Sequence, residues 1–371
     1  GDVYKRQTVI TKNIGLDLGF LNNRLNVSFD AYIRDTKDML MAGKTLPGVY
    51  GASSPRMNVA DLRTKGWEAS ITWGDSFTLA SKPFNYRIMA GIGDNTSKVT
   101  KYDNPNRTLT DPYEGQQLGE IWGYVVDGYF KTDEEARNYK VDQSFVNQMI
   151  NASALDNGLH AGDLKFVDLD GNNKIEQTTS ANDRKDMKVI GNSLPRYNYN
   201  FGISADWYGI DFSVLFQGIG KQNWYPGAET SMFWGPYSRP YASFIPSDFM
   251  SQVWSEENTD AYFPRPRGYV ALGSNRELAV VNTKYLQNLA YCRLKNLSIG
   301  YTLPDKWLSK IGFEKIRVYF SGENLLTFTK LHSDYIDPEQ ASASNSWKTS
   351  KSDANIYPWA KTYSFGVDIT F

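Results

Sequence analysis

The chain of 371 residues carries 40 basic and 41 acidic side chains, and its formal net charge of −1 excludes a polycationic nucleic-acid-binding protein. Aromatic residues make up 14% of the chain and all hydrophobic residues 41%. No uninterrupted apolar run approaches the roughly 20 residues that a transmembrane helix needs. Strands that alternate between apolar and polar residues can still cross a membrane, so the composition leaves a β-barrel open.

Few residues suit enzymatic chemistry. Cys292 is the single cysteine, which excludes a disulfide framework and a cysteine-type zinc cluster. His160 and His332 are the two histidines and offer few candidates for acid–base chemistry. Adjacent acids such as Glu134 and Glu135 diverge on a strand or a helix, so they cannot flank one glycosidic bond. We therefore expect no catalytic residues, no enzyme activity and no organic cofactor.

The amino end has no initiating methionine and no secretory signal segment, which indicates a piece of a longer protein. We expect residues 1–7 to be a linker or a non-native junction. Residues 8–371 are expected to form the folded part.

Strict alternation of apolar and polar residues predicts about nine strands with one apolar face each. Leu25, Val27, Phe29, Ala31 and Ile33 show the pattern, with polar or amphipathic residues between them. In chain order the predicted strands lie at 14–20, 25–34, 67–73, 86–92, 201–207, 210–217, 297–303, 316–320 and 363–371.

The predicted connections alternate strictly between short and long. Tight turns fall at 22–23 and 208–209, and about nine residues follow Gly74. The long connections lie at 42–63, 103–196, 219–287 and 329–360. An up-and-down antiparallel barrel in an outer membrane explains this asymmetry, because its turns are short on the periplasmic side and its loops are long outside. A soluble all-β domain is the alternative and offers no reason for it.

The last predicted strand ends the chain on an aromatic residue. Phe365, Ile369 and Phe371 fall on its apolar face, a pattern that barrel-assembly machinery reads in outer-membrane proteins. Tryptophans and tyrosines also stand near the predicted strand ends, where amphipathic rings suit the lipid headgroup level. We interpret Phe365, Ile369 and Phe371 as an assembly signal.

Several motifs, taken in order, resemble the carboxyl-terminal portion of SusC-like (RagA-like) TonB-linked outer-membrane transporters of Bacteroidetes-type bacteria. They are GWEASITW (66–73), GDLKFVDLDGNNKI (162–175), VIGNSLPRYNYNFGISADWYGIDFSVLFQG (189–218), YCRLKNLSIGYTLP (291–304), RVYFSGENLLTFTK (317–330) and YPWAKTYSFGVDITF (357–371). Each motif alone is weakly specific, but their order and spacing together are specific.

The resemblance implies a 22-stranded barrel with an amino-terminal plug in the outer membrane of a Gram-negative cell. It also implies import of oligosaccharides or peptides, with energy relayed by the TonB complex and with a SusD-like surface lipoprotein as a lid. The chain would supply the last nine or so strands, in contact with membrane lipid, and would lack the plug domain. A passive outer-membrane porin and a soluble all-β carbohydrate-binding domain are the alternatives.

Polar residues between the apolar ones would face the lumen of such a barrel. They include Asp30, Arg34, Glu68, Arg87, Asp206, Asp211, Arg317 and Glu323. We expect them to touch a plug or to pair with one another.

A calcium site is suggested at Asp168, Asp170, Asn172 and Lys174. Oxygen side chains alternate there and a backbone carbonyl follows, as in the first half of a calcium loop. Asp183 is the candidate closing acid, with Glu176 as a second candidate. The alternative is a turn held by its own side-chain hydrogen bonds.

A long connection between Trp224 and Phe263 is rich in aromatic residues and prolines. Aromatic faces stack on sugars and on apolar peptide side chains, so we take Trp224, Trp234 and Tyr237 as candidate contacts for substrate or lid. The alternative is that they form the core of the loop itself.

Overall fold

The computed structural model describes residues 6–43, 47–51, 55–147, 158–238, 245–266, 269–308, 312–341, 351–352 and 357–371. Of the proposed junction at 1–7, residues 1–5 lie outside this range. No helix in these described ranges is long and apolar enough to cross a membrane.

The strands are β1 (Thr8–Phe20), β2 (Leu25–Ala42), β3 (Arg56–Leu79), β4 (Lys82–Lys101), β5 (Glu120–Tyr124), β6 (Val126–Tyr129), β7 (Leu164–Phe166), β8 (Met187–Asn192), β9 (Arg196–Trp207), β10 (Ile210–Lys221), β11 (Asn223–Pro226), β12 (Gln287–Asn288), β13 (Tyr291–Thr302), β14 (Lys315–Thr329), β15 (Lys351–Ser352) and β16 (Thr362–Thr370). The described residues include three short α-helices: α1 (Asp133–Arg137), α2 (Ser231–Trp234) and α3 (Asp305–Leu308). Single 3₁₀ turns cover Gly48–Tyr50, Gly235–Tyr237, Phe249–Gln252 and Tyr269–Leu272.

Nine strands form one antiparallel sheet in the order β1-β2-β3-β4-β9-β10-β13-β14-β16, which we call the wall. Each strand pairs with its neighbour along the chain, apart from small strands in the long connections. The expected partial up-and-down barrel with two open edges is therefore confirmed. The small strands form separate sheets, β12-β11-β15, β5-β8 and β6-β7.

The apolar residues of neighbouring wall strands stand side by side because the strands are in register. Leu16 pairs with Phe29, which pairs with Ala69, which pairs with Ile92. This face is widely exposed in the isolated chain: Ile14 is 74% exposed and Phe365 83%. Exposed apolar surfaces of this extent mark sites of contact with a membrane or another protein.

The hairpin of β3 and β4 is longer than the sequence pattern indicates. The predicted connection of about nine residues after Gly74 is wrong, because β3 continues to Leu79 and the turn consists of Ala80 and Ser81. Both turn residues have positive φ, 49° and 62°, as in a type I′ hairpin. Neither is a glycine or an asparagine, so the usual sequence signal for this turn is missing.

The largest buried hydrophobic cluster lies in the long connections. We call the described parts of three connections, β4 to β9, β10 to β13 and β14 to β16, the loop layer. Its core includes fully buried Phe166, Trp224, Trp234 and Tyr285. Because the wall's apolar side chains point to its outer face, the loop layer has to supply its own core.

A buried charge cluster fastens the loop layer to the wall. Arg293 of β13 binds Asp337 of the last long connection at 2.7 Å, and their side chains are only 3% and 4% exposed. Arg293 also binds Glu339, which Lys295 of β13 contacts at 2.8 Å. The backbone amide of Trp359 donates to Asp337, so the cluster reaches the segment that leads into β16.

Replacing Arg293 with alanine should destabilise the protein strongly, because Asp337 would stay buried without its guanidinium partner. We expect the free energy of unfolding to fall by about 3 to 5 kcal/mol. The measurement is a urea titration of the full-length protein in detergent, followed by tryptophan fluorescence.

The control for this prediction is Arg24→Ala. Arg24 forms an ion pair with Asp75 whose side chains are 47% and 26% exposed. Exposed pairs contribute about 1 kcal/mol or less. Equal losses in the two variants would contradict a fastening role for Arg293.

Candidate functional site

The polar face of the wall carries a shallow recess of about 360 Å³. Its polar lining consists mainly of Ser28, Asp30, Glu68, Ser70, Asn198 and Asn200. We call it the wall recess.

Two carboxylates stand side by side in the wall recess. Asp30 of β2 pairs directly with Glu68 of β3, with Gly15 and Gly93 as their outer neighbours in the same row. A Cβ at Gly15 would lie 2.5 Å from Asp30 Oδ1, so the missing side chain makes room for this carboxylate. Like charges in this position destabilise a sheet on their own. The row therefore suits a cationic or hydrogen-bond-donating group.

Other charges on the polar face pair with one another. Arg317 of β14 binds both carboxylate oxygens of Asp211 of β10, at 2.6 and 2.8 Å, and also Asp368 of β16. Asn85 donates to Asp206 at 2.8 Å. These contacts follow the expected pairing among neighbours on the polar face.

The loop layer holds a second recess of about 240 Å³, which we call the loop recess. It combines three cations with three acids: Lys131, Lys165, Lys284, Asp127, Glu135 and Asp260. Lys165 bridges Asp127 at 3.3 Å and Glu135 at 3.2 Å. Burial lowers the pKa of Lys284, whose ammonium lies 4.8 Å from the centre of the Tyr129 ring. Both signs of charge thus line the recess, with Lys165, Asp127 and Glu135 paired among themselves.

The three aromatic residues predicted to meet substrate or lid lie inside the loop layer. Trp224 and Trp234 are 0% exposed and Tyr237 is 1% exposed. Trp234 Nε1 donates to the carbonyl of Gly227 at 3.0 Å, and the Tyr237 hydroxyl donates to the carbonyl of Pro264 at 2.7 Å. This placement fits the alternative of a loop core. Contact with a ligand stays a prediction and would require the layer to open.

The predicted calcium loop folds into a compact acidic turn. Asp168 accepts hydrogen bonds from the amides of Gly171 and Asn173, both at 2.7 Å. The amide of Lys174 donates to Asn172 Oδ1, and Asn172 Nδ2 donates to both Asp170 and Glu176.

The acid that joins Asp168 and Asp170 is Asp186. Oxygens of these three carboxylates lie within 4.8 Å of one another, whereas Asp183, the sequence candidate, is not in the group. Asp186 comes three residues after Asp183 in the chain. The sequence does not show how the residues between Asn172 and Asp186 fold, so it could not tell which of the two acids approaches Asp168. Metal binding stays a prediction, since internal hydrogen bonds also account for the turn.

The carboxylates of this turn differ in acidity. Burial raises the pKa of Asp186, although the amides of Leu169 and Glu176 donate to it. The pKa of Asp168 is below its usual value. Burial acts to raise this pKa, but the hydrogen bonds from the amides of Asn173 and Gly171 outweigh the effect of burial. A divalent cation would favour the ionised form of Asp186.

The predicted assembly signal lies on the edge strand of the wall. Phe365 pairs with Phe320 and Ile369 pairs with Ile316 of β14, so both stand on the apolar face. Phe371 follows the end of β16, is 82% exposed and packs against Phe313, with 5.3 Å between ring centres. The structure thus places these residues where a partner could read them, and their assembly role stays a prediction.

Comparison with known proteins assigns these features to one family. Residues 3–325 match the family described as "TonB dependent receptor-like, beta-barrel". The chain belongs to this family. The resemblance predicted from the motifs is therefore confirmed.

Two relatives illustrate the extent of the match. TonB-dependent receptor P3 of Formosa agariphila is 28% identical over 389 residues, covering 100% of this chain and 35% of that receptor. TonB-dependent receptor SusC of Bacteroides thetaiotaomicron is 23% identical over 369 residues, covering 99% of this chain and 32% of SusC. The chain spans about a third of the length of these curated relatives.

Solved structures share the fold of this family member. A chain of the RagAB peptide importer in its "open-open" state matches with a TM-score of 0.70 at 21% identity, covering 99% of this chain and 35% of that chain. The "closed-closed" state gives a TM-score of 0.68 at 23% identity, with coverages of 98% and 35%. At these identities the likeness concerns the fold.

Calcium should order the acidic turn if the prediction is right. We expect calcium to slow trypsin cleavage at Lys174 and Lys185 in the full-length protein, and Asp170→Asn or Asp186→Asn to abolish this protection. Because burial raises the pKa of Asp186, protons compete with the metal, and protection should weaken as the pH falls toward that pKa.

The matched control is Asp183→Asn, which should keep the protection because Asp183 lies outside the group of three carboxylates. If trypsin cleaves the unmodified protein at the same rate with calcium and with a chelator, the prediction of a calcium site is wrong.

Deleting Phe371 should lower the amount of full-length protein in the outer membrane, since the terminal aromatic is expected to be read during assembly. Quantitative immunoblots of membrane fractions measure this amount. Thr370→Ala, at the last residue of β16, is the control and should assemble normally. Normal surface levels after deletion of Phe371 would rule out the assembly role.

Proposed function

We propose that the chain forms the barrel wall and outer loops of a TonB-dependent outer-membrane importer of oligosaccharides or peptides. The observation that carries this proposal is the wall itself: an antiparallel sheet with a broad, mainly apolar face, a polar recess on the opposite face, and long connections at one end. The match to the TonB-dependent receptor barrel family supports it.

The height of the apolar face fits an outer membrane. On β3 the face runs from Trp67 to Phe77, and its one charged position, Asp75, is paired with Arg24 beside the short turn. This distance is about 33 Å along a strand at about 3.3 Å per residue. A strand tilt of about 40° reduces this to about 25 Å, the height of the apolar band in outer-membrane barrels. In that orientation the long connections face the cell exterior.

One relative and the loop recess support a choice between the two proposed cargo classes. RagAB is described as a peptide importer. A peptide presents both an ammonium and a carboxylate group, and the loop recess is lined by Lys284 and by Asp260, whose charge acts on Lys284. Within the proposed choice of oligosaccharides or peptides, these charges favour peptides.

The mechanism that we propose has two steps. A SusD-like surface lipoprotein closes over the loop layer and traps the ligand. TonB then pulls on a plug supplied by the longer protein, which opens a path along the polar face of the wall. The residues of this chain bind and guide the ligand and carry out no chemical step.

A passive porin is the second candidate, because its barrel has the same two faces. The family match favours the TonB-dependent importer over a porin. A soluble carbohydrate-binding domain is less well supported, since the outer apolar face would then be exposed to water.

Uptake by the full-length protein should depend on TonB. In a Bacteroidetes-type host that produces the transporter with its lipoprotein, we expect deletion of tonB to reduce uptake of the cargo to the level of a transporter-deletion strain. Fluorescent peptides and fluorescent oligosaccharides serve as separate probes, and accumulation of label inside the cells is the measurement.

The control strain carries a general porin, through which uptake should be unaffected by the tonB deletion. Uptake that persists without TonB would favour the passive porin. Uptake of neither probe in the presence of TonB would contradict both cargo classes.

A further inference from the structure

The outer face of the wall becomes basic directly beyond its apolar band, on the side of the long connections. Residues paired across neighbouring strands form rows on this face, and one apolar row consists of Ile14, Ala31 and Trp67. The next row toward the long connections consists of Lys12, Ile33 and Lys65. In the next row Asp35 pairs with Arg63 and Arg63 with Lys98, and Lys37 follows on β2. Alternation keeps all these side chains on the apolar face of their strands. We call Lys12, Lys37, Arg63, Lys65 and Lys98 the basic collar.

Most of the positive charge in the basic collar is uncompensated. Arg63 is neutralised by Asp35, with Nε to Oδ1 at 2.6 Å. The four lysines are exposed, and none lies within ion-pair distance of an acid in the described ranges, although the charges of Lys12 and Lys37 also act on Asp35. Asp94, which shares a row with Trp67, is bound by Arg196 and adds no free negative charge.

The basic collar is held on strands and not on mobile loops. β2, β3 and β4 have 18, 24 and 20 residues, well beyond the 9 to 11 or so that span a membrane. Strands lie about 4.8 Å apart, so Lys12 and Lys65, two strands apart, stand about 10 Å apart at the backbone. Flexible lysine side chains at this spacing can reach one phosphate together.

We propose that the basic collar binds the phosphate groups of lipids in the outer leaflet of the membrane. This inference rests on the outer-membrane placement in the proposed function. Phosphate-bearing headgroups lie directly above the hydrocarbon, at the level that the collar occupies when the apolar band is in lipid. A lid over the long connections would meet the loop layer instead, because the collar faces away from the lumen. The occupant is therefore a lipid phosphate.

The test uses the full-length transporter in detergent, with lipid A carrying one phosphate and its dephosphorylated form as probes. Native mass spectrometry across a lipid titration gives the dissociation constant for each. For the triple variant Lys12→Gln, Lys65→Gln and Lys98→Gln, we expect at least a tenfold weaker binding of the phosphorylated lipid and unchanged binding of the dephosphorylated lipid. Raising the salt concentration should weaken binding of the phosphorylated lipid in the unmodified protein.

Two further variants keep the result interpretable. The triple variant Lys82→Gln, Lys306→Gln and Lys315→Gln removes exposed lysines near the short-turn end of the wall and should bind both lipids normally. Lys12→Arg, Lys65→Arg and Lys98→Arg should restore binding and so exclude a folding defect.

Unchanged affinity for the phosphorylated lipid in the glutamine variant would overturn the proposal. An equal loss for both lipids, or the same loss in the control variant, would also overturn it. TonB-dependent uptake is measured separately from lipid binding. Loss of the lipid proposal would therefore not contradict the transport function, and a negative uptake result would not affect the lipid affinities.

Discussion

The backbone amides and carbonyls of the wall have to find their hydrogen-bond partners in neighbouring strands, because hydrocarbon offers none. The nine wall strands meet this requirement internally, in continuous antiparallel register. β1 and β16 each leave one edge open, so stability in a bilayer requires further strands. This constraint explains why the wall is regular while the long connections vary in structure.

The division between wall and loop layer follows from the same constraint. Apolar side chains of the wall face outward, so they cannot build a conventional interior. The loop layer buries its own aromatic residues, Trp224, Trp234 and Tyr285 among them. Arg293 joins the two parts through a buried pair with Asp337, where removal of one partner costs far more than at an exposed pair.

Because side chains alternate between the two faces of a strand, one wall strand contributes to the apolar band, the wall recess and the basic collar. On β3, Trp67 belongs to the apolar band, Glu68 lines the wall recess on the opposite face, and Lys65 belongs to the basic collar beyond the band. A single-residue shift in register would exchange the two faces of the strand. The paired rows on β2 and β4 hold this register, so the apolar and polar faces of the wall are fixed together.

The sequence by itself determined the number of wall strands, their faces and the short-to-long order of connections, because period-two alternation and tight turns are local signals. It did not reveal the Ala80 and Ser81 turn, which lacks glycine or asparagine. Only the tertiary structure brought Asp186 to Asp168 and buried Trp234, since both depend on contacts between distant segments. Local pattern fixes a strand's faces, whereas long connections acquire their shape only by packing against one another.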